Sequence, residues 1–153
     1  SQSGYTRQTV GGCGMWNSDA DWANNTVVAT LNSSVRNAGT ASGLTNLKVL
    51  DMTNALVGHR LCENTVGLLE EKGIARWTSA GAVDKTEWVS QVRTSSVIGT
   101  AYQLQEDLHP SYWGQMALRN CFRQAYNGGS PKGGTCTRGT GLNANGEPNM
   151  TLV

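Results

Sequence analysis

Residues 46–53, "NLKVLDMT", decide the fold class. The stretch is short, rich in apolar and β-branched residues and bounded by turn formers, which predicts a buried strand. Ahead of it, residues 18–39, "SDADWANNTVVATLNSSVRNAG", place Val27, Val28, Leu31 and Val35 at the spacing of one helical face. Ser and Asp residues suited to an N-cap precede that face, and Gly39 stands as its stop. A helix leading into a strand is an α/β signal, and a parallel sheet is the expected architecture.

Working outward, residues 65–77, "TVGLLEEKGIARW", read as a short helix ending at Gly73. Residues 74–105 lack sustained periodicity and read as a long ordered excursion, a kind of segment that often carries function. After Pro110 the pattern returns: Trp113, Met116, Ala117, Cys121, Phe122 and Ala125 form an apolar stripe at helical spacing. Ser111 or Pro110 starts that helix and "NGG" at 127–129 ends it. Residues 137–153 are turn-rich and fit a small hairpin or an extended tail, and residues 1–17 read as loop.

The chain has 153 residues, the length of one domain able to bury a core, with 38% hydrophobic and 15% charged residues and 19 glycines. Twelve basic and 11 acidic residues give a net charge of +1 without runs of either sign. That balance carries no footprint for nucleic acid or an anionic membrane. No apolar stretch approaches the ~20 residues of a membrane span. The polar opening "SQSGYTRQTV" fits a mature product whose leader has been removed, or a piece of something longer.

Cysteines stand at 13, 62, 121 and 136, with no C-x-x-C pair. Two disulfides in an oxidising compartment are expected, and four cysteines allow three connectivities that sequence alone does not separate. The glycine-rich 121–136 loop closes easily, so Cys121 with Cys136 and Cys13 with Cys62 is the pairing expected. Three N-x-S/T strings, at 24–26, 32–34 and 149–151, read as chance matches to the glycosylation acceptor pattern.

Of the two histidines, His109 stands in "EDLHPSYWGQ" (106–115), between two acids and the start of a helix. A histidine that takes a proton from a nucleophile needs a partner to fix its tautomer through the other ring nitrogen. Glu106, three residues upstream, and Asp107, two upstream, are candidates for that partner. The plain reading is a surface loop. His59, in "GHRLCE", reads as a structural or solvated residue, or one at a site's edge. Two histidines without a spaced acid cluster make a poor metal site, so no metal or cofactor is expected. A Cys–His nucleophilic pair is disfavoured because Cys121 lies about three helical turns from His109. Trp77 and Trp88, in the irregular 74–105 region, are candidates to face a substrate.

"EDLHPSYWGQMALRNCF" (106–122) resembles the last block of the SGNH, or GDSL-type, hydrolases, in which an acid three residues before a His-Pro pair precedes a helix. "VLDMTNALVGHRLCE" (49–63) is similar to the segment that follows a late sheet strand in secreted actinobacterial members. "WNSDADWANNTVVATLNSSVRNAG" (16–39) is similar to the helix before that strand. The resemblance implies a three-layer α/β/α domain on a flavodoxin-like parallel sheet, with His109 as general base and Glu106 orienting it. Asp107 is the second choice, and in some members a backbone carbonyl takes the acid's place.

The sequence departs from the family in one respect. No Gly-Asp-Ser block and no G-x-N-D string occurs, so the serine nucleophile and the oxyanion donors are expected upstream of Ser1. The resemblance therefore implies the C-terminal portion of a secreted ester hydrolase, acting on lipid or acetylated-saccharide esters, with its N-terminal half as a second polypeptide partner. The competing expectation is a non-catalytic, disulfide-stapled binding module on the same scaffold, using the aromatic-bearing 74–105 region.

Overall fold

The computed structural model describes residues 17–63, 65–90 and 108–153. The chain opens on a continuous helical run: α1 (Asn17–Trp22), a π-helical turn (Ala23–Val28) and α2 (Ala29–Ala41). Gly39, expected as the stop, lies inside α2. A Cβ there would stand 2.9 Å from the Val49 side chain, so this glycine lets the helix approach the following strand. The helix ends two residues later, and Gly43 supplies the left-handed turn at φ +65°.

The strand expected over 46–53 narrows to β1 (Leu50–Asp51), which is half-buried rather than buried. It pairs in parallel with β2 (Gly134–Leu142), which runs antiparallel to β3 (Pro148–Leu152), in the order β1-β2-β3. The described residues thus form a mixed α/β structure whose three-stranded sheet has one parallel and one antiparallel pairing. The expected C-terminal hairpin is β2 and β3. Its turn is built on Asn143, whose Oδ1 accepts from the amides of Asn145 and Glu147 at 2.8 and 3.1 Å.

Residues 65–77 form turns rather than the expected helix. The amide of Ile74 bonds the Leu69 carbonyl at 2.8 Å, and Gly73 takes φ +64°. The described part of the excursion, residues 74–90, holds one short helix, α3 (Ala82–Lys85). The final helix α4 (Tyr112–Tyr126) starts after Ser111 in extended conformation and ends at Asn127 in the left-handed region, as its punctuation predicts. Trp113, Ala117 and Cys121, four residues apart, turn into the core, whereas Phe122 is 57% exposed.

The core gathers Trp88, Val83 and Ala82 from the excursion, Trp113, Ala117 and Cys121 from α4, and Cys136, Met150 and Leu152 from the hairpin. Each buried tryptophan removes enough surface from water to contribute about 4–6 kcal/mol as an upper estimate. A Cys121–Cys136 disulfide ties α4 to β2 with Cα atoms 5.9 Å apart, as expected. Cys62 is also disulfide-bonded, and its expected partner Cys13 lies outside the described residues. Among the described residues no helix is long and apolar enough to cross a membrane.

Candidate functional site

His109 is exposed at the start of α4, and what holds it there is a short antiparallel pairing between 88–90 and 108–111. The Ser111 amide donates to the Trp88 carbonyl at 2.8 Å, the Ser90 amide to the His109 carbonyl at 2.7 Å, and the Leu108 amide to the Ser90 carbonyl at 3.0 Å. Two residues, Leu108 and His109, thus bond to one, the two-against-one pattern of a β-bulge, and Leu108 takes φ +63° to allow it. A non-glycine residue at positive φ costs on the order of 1–3 kcal/mol, so the surroundings must hold it in place.

Those surroundings are rigid. Trp88 is 1% exposed, its indole N–H donates to the Val83 carbonyl at 2.9 Å, and its ring stacks on His59 with centroids 4.1 Å apart. The amide of Trp88 donates to the His59 carbonyl at 2.8 Å, and the Ser111 hydroxyl to the Glu87 carbonyl at 3.1 Å. Gly114 completes the fit, because a Cβ there would drive into the Trp88 carbonyl oxygen. The Gly of "HPSYWGQ" is therefore a close-approach residue that lets the first turn of α4 sit on the Trp88 backbone.

His59 is buried at 2% exposure, with Nδ1 2.7 Å from the Thr86 carbonyl. A carbonyl only accepts, so the ring is neutral or charged with its proton on Nδ1. Burial lowers its pKa below the ordinary histidine value, with the Arg138 charge acting in the same direction. His59 is thus a neutral structural residue beneath the site.

Against these supports lies an open hollow of about 370 Å³, lined by Trp77, Ser90, His109, Pro110, Ser111, Tyr112 and Gln115. Trp77, expected to face a substrate, borders it half-buried. Trp88, expected to do the same, belongs instead to the core under it. Glu106 and Asp107, the two candidates to orient His109, lie outside the described residues. Tyr112 and Gln115 were in the quoted stretch without being singled out, and their spacing from His109 along one helix start is the signal that could have found them. Ser90 carries no such signal, since only the pairing with 108–111 brings it to the site.

Chemically the arrangement offers an exposed imidazole beside an aromatic and hydrogen-bonding hollow on a mixed α/β scaffold. No group of three or more His, Cys, Asp or Glu side chains suited to a metal ion exists among the described residues. Comparison with protein-family models, with curated proteins and with solved structures finds no match to this chain.

Proposed function

We propose that this chain is the base-bearing portion of a secreted serine ester hydrolase of the SGNH type, with a three-layer α/β/α domain. The observation that carries the reading is His109: an exposed imidazole held by a bulge at the mouth of α4, lining a hollow open to a ligand. His109 takes the serine's proton during acylation and returns it to the leaving alcohol. Glu106, or in its place Asp107 or a backbone carbonyl, fixes the ring. The serine and the oxyanion donors stand on a further portion of the polypeptide outside these residues. The helical run supports that portion's existence, because none of its described side chains, 18–41, is buried and Trp22, Leu31 and Val35 turn outward, each more than 60% exposed.

The test joins intact mass spectrometry, denatured but unreduced, to a p-nitrophenyl ester assay with a serine-directed phosphonate probe. A second, labelled polypeptide together with a His109→Ala change that lowers turnover by several powers of ten supports the reading. A single unlabelled species at the mass of this chain, with no ester hydrolysis, sinks it and leaves a binding module.

A further inference from the structure

We propose that the outward face of α4 is a docking surface for an acidic segment of another protein, one that presents a carboxylate between apolar side chains. The face stands whichever reaction His109 serves.

An α-helix advances about 100° per residue, so positions 112, 115, 119, 122, 123 and 126 fall within one arc about 100° wide. That arc is the one α4 turns away from the core. Tyr112, Phe122 and Tyr126 are 41%, 57% and 61% exposed, and Gln115, Arg119 and Arg123 are exposed with them, while Trp113, Ala117, Asn120 and Cys121 occupy the buried side. A helix face that meets only water is ordinarily built of charged and small polar residues of both signs. This one holds three aromatics, two arginines and a glutamine, and among them the chain's single phenylalanine. Aromatic rings and arginine, without lysine or acid, are the composition of the centre of a protein–protein interface.

The two arginines differ in what they leave open. Arg123 donates Nη1 to Glu147 Oε1 at 2.7 Å and Nη2 to Oε2, so its fork is occupied. Arg119 donates only Nε, to Glu147 Oε1 at 2.6 Å, and its side chain is 55% exposed. Among the described residues its Nη1 and Nη2 make no hydrogen bond. The buried carboxylate thus neutralises one guanidinium and positions the other by one edge. The remaining pair of Nη groups matches the two oxygens of a carboxylate. Phe122 and Tyr126, three and seven residues on, flank that fork by helical spacing and offer the apolar surface that shields a docked ion pair from water.

The stripe from Tyr112 to Tyr126 runs about 21 Å, the length of a helix of about four turns laid along it. A nucleic-acid strand fits less well. Two arginines against one glutamate leave a single positive charge on this face, whereas a strand of phosphates is held by several cations.

The probe is a phage-displayed library of random peptides of about 14 residues, the length of the stripe, panned on this chain and counter-panned on Phe122→Ala. Recovered sequences are expected to carry Asp or Glu between apolar residues. The commonest of them, synthesised, should bind in calorimetric titration and shift the Arg119 Nε–H resonance together with the α4 amides. Exchanging its acids for Asn or Gln, or using Phe122→Ala, should weaken binding about tenfold or more. Arg119→Lys, which keeps the charge and loses the fork, should weaken it as well. Phe122 is exposed, so its variant should unfold at the Tm of the parent. A library that yields no binder lost in Phe122→Ala, binders without acids, or binding indifferent to the Asn or Gln exchange overturns the proposal. Oligothymidylate that shifts the same resonances at lower concentration than the peptide overturns it in favour of a nucleic acid. Self-association of the chain that Phe122→Ala abolishes overturns it in favour of a second copy.

Discussion

Glu147 is fully buried, yet it keeps its charge, because Arg119 and Arg123, one turn apart on α4, and Asn143 in the hairpin turn all donate to its oxygens. Those bonds, the one from Arg123 foremost, outweigh burial and lower its pKa to about 2. The unfolded carboxyl titrates near 4.3, so the unfolded state takes the proton first as pH falls. The stability this group contributes is therefore full above about pH 5 and lost on the way down to about pH 2. Both arginines stay half in water, which limits the contribution to about 2 kcal/mol. Glu147→Gln is expected to lose that amount at pH 7 and to flatten the acid limb, read by urea unfolding at pH 7, 4 and 3. An acid limb as steep as that of the parent would show that the ion cluster does not stabilise the fold.

His59 acts in the same direction at higher pH. Burial depresses its pKa, so protonation favours the unfolded chain, and stability is complete above about pH 6.5 and declines as pH falls below it. The charges acting on the ring are Arg138 from β2, Asp84 from α3 and Glu63 from the turns that follow His59. His59→Phe keeps a ring against Trp88 but leaves the Thr86 carbonyl without its donor, at a cost of about 1–2 kcal/mol at pH 7. The same variant is expected to show no decline in stability between pH 6.5 and 5 attributable to this site. An unchanged decline would move its origin away from His59.

At the scale of the element, α4 depends on its first turn being able to approach another backbone. Gly114→Ala gains helix propensity of about 1 kcal/mol, but its methyl meets the Trp88 carbonyl, which is backbone and cannot swing away. Overpacking of that kind costs about 1–3 kcal/mol, and the displaced helix start would carry His109 with it. Thermal unfolding should show a lower Tm, and an unchanged or raised Tm would mean that the close approach is not what selects glycine. Before the structure, this glycine could be read only as part of a resemblance. The α4 stripe, its Asn127 stop and the 121–136 disulfide were legible because punctuation and periodicity are local signals. Gly39 reads as a stop in the sequence because its reason lies in Val49, ten residues on, and Trp88 reads as a candidate to face a substrate because the short helix and turns around it carry no period. Of the candidate site, His109 was legible from its neighbours, whereas Ser90 was not, because it reaches His109 only through pairing across chain.

For the whole molecule, the unequal distribution of apolar surface is the fact to explain. The hairpin, α4 and residues 82–88 share one core, while the helical run 17–41 meets the sheet through Gly39 against Val49, the Arg36–Asp51 ion pair at 2.6 Å and the Asn32–Thr53 bond at 2.6 Å. Val28, Leu31 and Val35, spaced for one helical face, and Trp22, Leu44 and Leu47 are all at least 40% exposed. So many exposed large apolar side chains on one helical run are unusual on a chain that acts alone, and contacts made through few small and polar groups hold a helix weakly. Two consequences follow for these residues in isolation. Leu31→Gln with Val35→Gln should change unfolding free energy by no more than about 0.5 kcal/mol, since neither side chain is buried. The same pair should reduce concentration-dependent association, measured by sedimentation velocity, because the face available to other copies is the one it makes polar. A parent chain that stays monomeric at high concentration, or a double variant that unfolds far more easily, would place this face in intramolecular contact and remove the principal support for a further covering portion of the polypeptide.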